Sequence, residues 1–214
     1  MYIELIDTLR CPRPHEESWL VLSTLVIEAR HVREGTLGCP VCKSEYPIHD
    51  GVVDLRVRDG RELADRLPSA LTGTLVDADH LAAMMNLADP NGFAVLVGRW
   101  GERADALLES NGCPPLMLVD PPERISMQPG LSGVRCGAEL PLAVGAARAI
   151  AIDTTDATRV RSAARATRVG GRIVAPVATP VPDGVRELAR DERVWVGARE
   201  TMPSAPIALH VRRG

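Results

Sequence analysis

The sequence is poor in aromatic residues, with one phenylalanine, two tyrosines and three tryptophans in 214 residues, and Lys43 is its one lysine. So thin a set of rings, with no basic surface interleaved among them, excludes the stacking platforms on which single-stranded nucleic acids are held. Nor is there a surplus of cations. The formal net charge is −3, with 7 basic against 10 acidic residues up to Gly60 and 18 against 18 beyond it. A surface that neutralises phosphates needs the opposite balance, so direct nucleic-acid binding is not expected. Long apolar runs are missing too. The longest, Trp19 to Ile27, falls far short of the roughly 18–20 residues that cross a bilayer. No basic region followed by an apolar stretch opens the chain. These absences predict a soluble, cytoplasmic protein with no membrane association. The remaining basic residues are all arginine, which, beside abundant Ala, Gly, Pro and Val, reads as coding bias. Arg161, Arg165 and Arg168 are expected to share a solvated helix face.

What is present is an ordinary globular composition, 45% hydrophobic and 25% charged, long enough for one large domain or a core with a small appendage. The five cysteines are an odd number, which argues against a disulfide framework. Their spacing says more. Cys39-Pro40-Val41-Cys42 is a C-x-x-C, and Cys11 lies upstream with His15 four residues beyond it. Zinc takes four soft or borderline ligands in a tetrahedron, and two close pairs joined by strands supply them. Trp19 to Arg30, rich in Val, Leu, Ile and Thr, reads as one or two strands that bring the pairs together. A redox pair and unliganded thiols are the alternatives. A redox C-x-x-C usually opens a helix, whereas Pro40 and the Ser44-Glu45-Tyr46-Pro47 continuation look like a turn entering a strand.

Leu5-Ile6-Asp7-Thr8-Leu9-Arg10-Cys11-Pro12, Gly38-Cys39-Pro40-Val41-Cys42 and Tyr46-Pro47-Ile48-His49-Asp50-Gly51-Val52-Val53-Asp54-Leu55 together resemble the small zinc-ribbon family of methyltransferase activators, over about residues 1–58. Where that family often has a second cysteine near Cys11, this chain has His15. The resemblance implies an α+β ribbon with structural zinc on Cys11, His15, Cys39 and Cys42, and no catalytic group in it. It also implies a partner, a methyltransferase or another protein.

Residues 59–76 read as a linker, with a short helix expected at Arg61–Leu67. Asp77–Leu87 is a better helix, capped by Asp77, with Leu81, Met84, Met85 and Ala88 as its apolar stripe. From there, apolar runs alternate with helical stretches, which predicts a mostly parallel sheet with crossover helices over residues 77–214. Seven strands are expected, at Phe93–Val97, Leu116–Val119, Gly133–Cys136, Arg148–Ile152, Arg172–Ala175, Arg193–Val196 and Ile207–Val211. Helices are expected at Glu102–Glu109, at Thr155–Arg168 capped by Thr154 or Thr155 and closed by Gly170-Gly171, and at Gly184–Arg190. Gly98-Arg99-Trp100-Gly101 after the first strand fits a glycine turn into a helix, and Asp120 ends the second strand where a Rossmann-type sheet places an acid for ribose hydroxyls.

This order resembles a class I S-adenosylmethionine-dependent methyltransferase, over about residues 77–212. Val95-Leu96-Val97-Gly98, Leu118-Val119-Asp120, Val134 to Leu142 and Arg168-Val169-Gly170-Gly171-Arg172 carry the likeness. It implies a Rossmann-like sheet with helices on both faces, and cofactor contacts at Gly98, Gly101 and Asp120. The departures point the other way. Arg99, Trp100 and Glu102 crowd a loop that the family fills with glycine, Val97 stands near a usual acid, and Gly137 replaces a usual aspartate. Asp120-Pro121-Pro122-Glu123 reads as a proline-stiffened loop, and Cys113 and Cys136 as incidental thiols. No residue is assigned a catalytic role. The expectation is a zinc-binding, non-catalytic scaffold or methyltransferase partner, whose ribbon contacts its own degenerate methyltransferase-like domain. The alternative is an active methyltransferase with an atypical pocket, Trp100 then stacking on adenine rather than plugging the crevice.

Overall fold

The computed structural model describes residues 1–58, 61–62, 68–110 and 112–201. A short helix α1 (Ile3–Ile6) precedes four strands, β1 (Val21–Glu28), β2 (His31–Gly38), β3 (Glu45–His49) and β4 (Val52–Asp54). Ala29 and Arg30 both have positive φ, +45° and +68°, the backbone of a two-residue turn whose twist matches a hairpin. A minor pair follows, β5 (Val57–Arg58) with β6 (Arg61–Glu62). Arg61 and Glu62 thus pair as strand and do not begin the expected helix. A helix this short has a costly nucleus, and residues 63–67 lie outside the described residues.

The rest runs α2 (Ala78–Met85), β7 (Ala94–Val97), a 3-10 turn (Gly98–Arg103), α3 (Ala104–Glu109), β8 (Leu116–Val119), β9 (Leu131–Arg135), β10 (Ala147–Ala151), α4 (Ala157–Ala166), β11 (Thr167–Pro176), β12 (Val185–Arg190) and β13 (Val194–Arg199). Asp77 caps α2 by accepting from the His80 amide at 2.8 Å, and Asn86 closes it in a left-handed conformation. Asp156, not either threonine before it, caps α4 by accepting from the Arg159 amide at 2.8 Å.

Eleven strands form one sheet, ordered β1-β2-β3-β4-β9-β8-β7-β10-β11-β13-β12. Seven were expected. The difference arises because β4 lies parallel to β9, Val52 against Gly133, Val53 against Val134 and Asp54 against Arg135, which joins the ribbon strands to the doubly wound sheet. Gly133 permits the approach: a Cβ there would lie 2.7 Å from Cγ2 of Val52. The seam continues beyond β4. The Tyr2 amide donates to Ser132 Oγ at 2.8 Å, the Arg10 amide to the Pro141 carbonyl at 2.8 Å, and the Ala143 amide to the Thr8 carbonyl at 2.9 Å. The expected contact between the ribbon and its own methyltransferase-like segment is therefore an extended backbone junction.

Strand alternation divides the interior into two layers. Val95, Val97, Met117, Val119, Ile150 and Ile152 face one cluster, with Leu5 and Ile6 of α1 and Val160 and Ala163 of α4. Ala94, Leu96, Leu116, Leu118, Ala149 and Ala151 face the other, with Leu81 and Met85 of α2 and Leu107 of α3. Helices on both faces are as expected.

Three local expectations fail. Val185–Arg190 is strand β12, not a helix, because Asp191 accepts from the Arg193 and Val194 amides, both at 2.7 Å, and turns the chain back into β13. Gly170-Gly171 does not close α4 but lies inside β11, where a Cβ on Gly171 would meet the Arg148 carbonyl oxygen at 2.4 Å. Arg168 consequently sits on β11, apart from Arg161 and Arg165 on α4. The strand expected at Ile207–Val211 lies outside the described residues. Among the described residues, no helix is long and apolar enough to cross a membrane.

Candidate metal centre and the crevice at the strand ends

The four ribbon side chains converge. Cys11, His15, Cys39 and Cys42 each present one ligand atom, and these atoms lie within 4.8 Å of one another. The local backbone explains how. The Cys11 amide donates to Ser18 O at 3.0 Å, closing a loop that carries His15 back over Cys11. The Cys39 amide donates to Ser44 O at 2.9 Å and the Lys43 amide to Cys39 O at 3.0 Å, with Lys43 at φ +60°, which folds the C-x-x-C into a knuckle. His15 Nε2 stands 3.2 Å from Cys11 Sγ and 3.5 Å from Cys39 Sγ, and Cys11 Sγ stands 3.7 Å from Cys42 Sγ. A zinc tetrahedron, with Zn–S of about 2.3 Å and Zn–N of about 2.0 Å, has edges of about 3.5–3.8 Å. The donor set fits that ion in type and spacing.

Outer contacts orient the ligands, as metal sites require. Nδ1 of His15 lies 2.6 Å from the Glu16 carbonyl, to which it donates, leaving Nε2 for a metal. Tyr46, fully buried, places its hydroxyl 3.3 Å from Cys11 Sγ, and Ser44 Oγ lies 3.2 Å from Cys42 Sγ. Burial pushes the Cys11 thiol up to about 11. At Cys42 burial acts in the same direction, but the Ser44 hydroxyl and backbone, with Cys39 and Cys11, bring the thiol down to about 6. A metal ion bound here would favour the thiolate form of the cysteines that hold it.

The second candidate site lies where the doubly wound sheet reverses strand order, between β7 and β10 at their carboxyl ends, the crevice in which open α/β sheets bind nucleotides. Gly98 and Gly101 lie in the 3-10 turn after β7, and Asp120 directly follows β8. Other side chains of this chain pack closely against the floor of the crevice. A Cβ on Gly98, at φ +60°, would fall 2.2 Å from Asp153 Oδ2, which already accepts from the Arg99 amide at 2.7 Å. Trp100 is 1% exposed and donates from Nε1 to the Ile152 carbonyl at 3.0 Å. Gly101 is closed from above, where a Cβ would lie 3.0 Å from Pro122 Cδ.

Asp120 is buried at φ +52° and accepts from the Cys136 amide at 3.2 Å and from Arg159 Nη2 at 3.2 Å. The same Nη2 donates to the Gly137 carbonyl at 2.5 Å. Arg159, in the first turn of α4 and 1% exposed, therefore spans the ends of β8 and β9, its Nε and Nη1 buried with no hydrogen-bond acceptor among the described residues. Beside it Cys136 is buried, its thiol pushed up to about 12 by desolvation, the environment of a core thiol. An open cleft of about 660 Å³ remains above, between Pro68, Arg99, Glu102, Pro122 and Arg124. Sequence reasoning missed Asp153 and Arg159. Neither belongs to a motif, and only the tertiary packing brings them to Gly98 and Asp120.

Residues 3–51 match the family model of Trm112p-like proteins.

This Trm112p-like span ends one residue before β4 and contains all four converging ligands. No curated protein matches the sequence. Among solved structures, the chain resembles one from the complex between the Haloferax volcanii Trm112 methyltransferase activator and a candidate methyltransferase. The two are 13% identical, with 60% of this chain and 90% of that chain covered at a TM-score of 0.50. A candidate S-adenosyl-L-methionine-dependent methyltransferase of Methanococcus maripaludis is 10% identical, covering 60% and 85% at 0.44. Geranyl diphosphate C-methyltransferase of Streptomyces coelicolor A3(2) is 18% identical, covering 46% and 43% at 0.36. A Trm112p-like ribbon joined to a mixed α/β sheet of methyltransferase-like fold is thus what the chain contains.

Proposed function

We propose that this protein is a cytoplasmic, zinc-binding, non-catalytic scaffold. In this reading residues 1–58 form a ribbon held by structural zinc on Cys11, His15, Cys39 and Cys42, residues 59–76 connect, and residues 77–214 form a methyltransferase-like domain that has given up its cofactor. One observation carries it: Arg159 lies across the crevice, engaging Asp120 Oδ2 at 3.2 Å and the Gly137 carbonyl at 2.5 Å. The carboxylate that would meet ribose hydroxyls is consumed by an internal cation, and Trp100 is buried against the end of β10. A ligand entering here would have to break a buried ion pair and leave its members unpaired, which costs about 3–5 kcal/mol.

Zinc supplies no chemistry in this arrangement. Four protein donors close its shell, and a site without an open position fixes the fold and activates no water. The Haloferax volcanii activator acts in a complex with a separate chain; here β4 and β9 satisfy each other within one chain, so the ribbon serves its own neighbour first. A methyltransferase is the partner class proposed for the assembled scaffold.

Calorimetric titration of zinc-loaded protein with S-adenosylmethionine and with S-adenosylhomocysteine is the test. No saturable heat at millimolar ligand is the expected result. Micromolar binding of either ligand overturns the reading in favour of an active methyltransferase with Gly98, Gly101 and Asp120 as contacts.

A further inference from the structure

The longest apolar run of the sequence sits where a sheet is least protected. Among the described residues β1 is one of the two edges of the eleven-stranded sheet with no further strand beside it, and between Trp19 and Ile27 the chain carries no charged residue. Val21 is 61% exposed, Leu25 80% and Ile27 49%, with Trp19 at 64% beside them. Edge strands of monomeric proteins are ordinarily guarded by charge or proline, because unpaired backbone flanked by apolar side chains recruits another strand. The opposite edge is guarded. On β12, Arg186 pairs with Glu200 at 2.6 Å and Arg190 with Glu187 at 2.7 Å.

The contrast identifies the occupant. A neighbour that laid β12 against β1 would set charges on an apolar strip, and that head-to-tail contact would not close. A second β1, antiparallel across a two-fold axis, matches apolar to apolar, brings no like charges together and closes after two copies. The relief of the surface fits the same partner. β1 is irregular between Thr24 and Val26, where Leu25 has no opposite residue on β2 and is turned outward. Beside it a trough of about 350 Å³ is lined by Val21, Ser23, Thr36, Gly38 and Pro40, with Glu45 its one charged member. Antiparallel pairing centred near Thr24 sets the projecting Leu25 of each copy over the trough of the other.

We propose that β1 is a self-association surface through which two copies of this chain form a symmetric dimer, Leu25 being its anchor and the Val21–Pro40 trough its receptor. The expected stoichiometry is two, whether or not the strand-end crevice binds a cofactor.

Light scattering on the zinc-loaded full chain at micromolar concentration is the experiment. A mass twice 23.0 kDa is expected for the native protein, and the chain mass alone for Leu25→Lys, with metal content and circular dichroism unchanged. Because the association is apolar, the dimer is expected to persist in molar salt. Should Leu25→Lys fail to fold, amide exchange on the native protein decides instead: β1 amides gain protection on concentration if the proposal holds. A native monomer at micromolar concentration, a dimer that survives Leu25→Lys, or β1 amides indifferent to concentration would each overturn it.

Discussion

At the scale of single residues, the Asp120–Arg159 pair decides most. Both partners are buried, and two nitrogens of Arg159 have no hydrogen-bond acceptor among the described residues. Arg159→Met alone leaves a buried carboxylate whose main partner is gone, and a loss of about 3–5 kcal/mol in urea unfolding is expected. The double variant Asp120→Asn with Arg159→Met removes both charges, so it is expected to lie nearer the native protein than the sum of the single changes. Simple additivity would show that the ion pair does not hold the crevice closed. Gly133 offers a second residue-scale check. Gly133→Ala drives a methyl group into Val52, 2.7 Å away, and roughly 1–3 kcal/mol of overpacking strain should follow. Val52→Ala in the same chain should restore most of it, since the clash is with that side chain.

At the scale of elements, the ribbon depends on its ligands. The loop from Cys11 to Ser18 and the knuckle from Cys39 to Ser44 are closed by a few backbone hydrogen bonds each, too little to order so small a unit without a metal. Chelation is expected to abolish amide protection in those loops and in β1–β3, while β4, held by β9, keeps its own. Unchanged protection after the metal is stripped would show that the site is not structural. Acidification should act like chelation. Thiolates and a neutral imidazole bind the ion, protons compete for the same atoms, and metal affinity therefore falls as pH falls. A metal-release titration that did not steepen toward low pH would contradict the donor set. The same scale shows what the sequence could disclose. The apolar runs of β7, β8 and β10 and the cap at Asp77 were legible because a buried parallel strand needs continuous hydrophobics and a helix start needs an oxygen at one place. The β12 hairpin was not, since six residues with alternating charge suit either a helix face or a strand edge until Asp191 is seen turning the chain. Gly170-Gly171 misled for a related reason: a glycine that admits a neighbouring backbone looks, in one dimension, like one that ends a helix.

At the scale of the whole molecule, the sheet crosses the line at residue 58 that composition and resemblance draw. One hydrophobic cluster runs from Leu5 and Tyr46 through Val134 to Trp195, so ribbon and methyltransferase-like segment share an interior. Thermal unfolding of the metal-loaded chain is accordingly expected as a single transition, moved to higher temperature by excess zinc through mass action. Two resolved transitions by calorimetry would mean that the shared interior does not couple the halves. The resemblances were legible in local motifs, but the junction was not, because no motif marks which strand edge β4 meets. That junction also bears on how the protein is born. The ribbon leaves the ribosome first, and β4 must wait, its outer edge bare, until Leu131–Arg135 has been synthesised. Long-range pairing of this kind is slow and open to wrong partners while it waits. A nascent chain stalled before β9 should therefore be the form of this protein that chaperones hold.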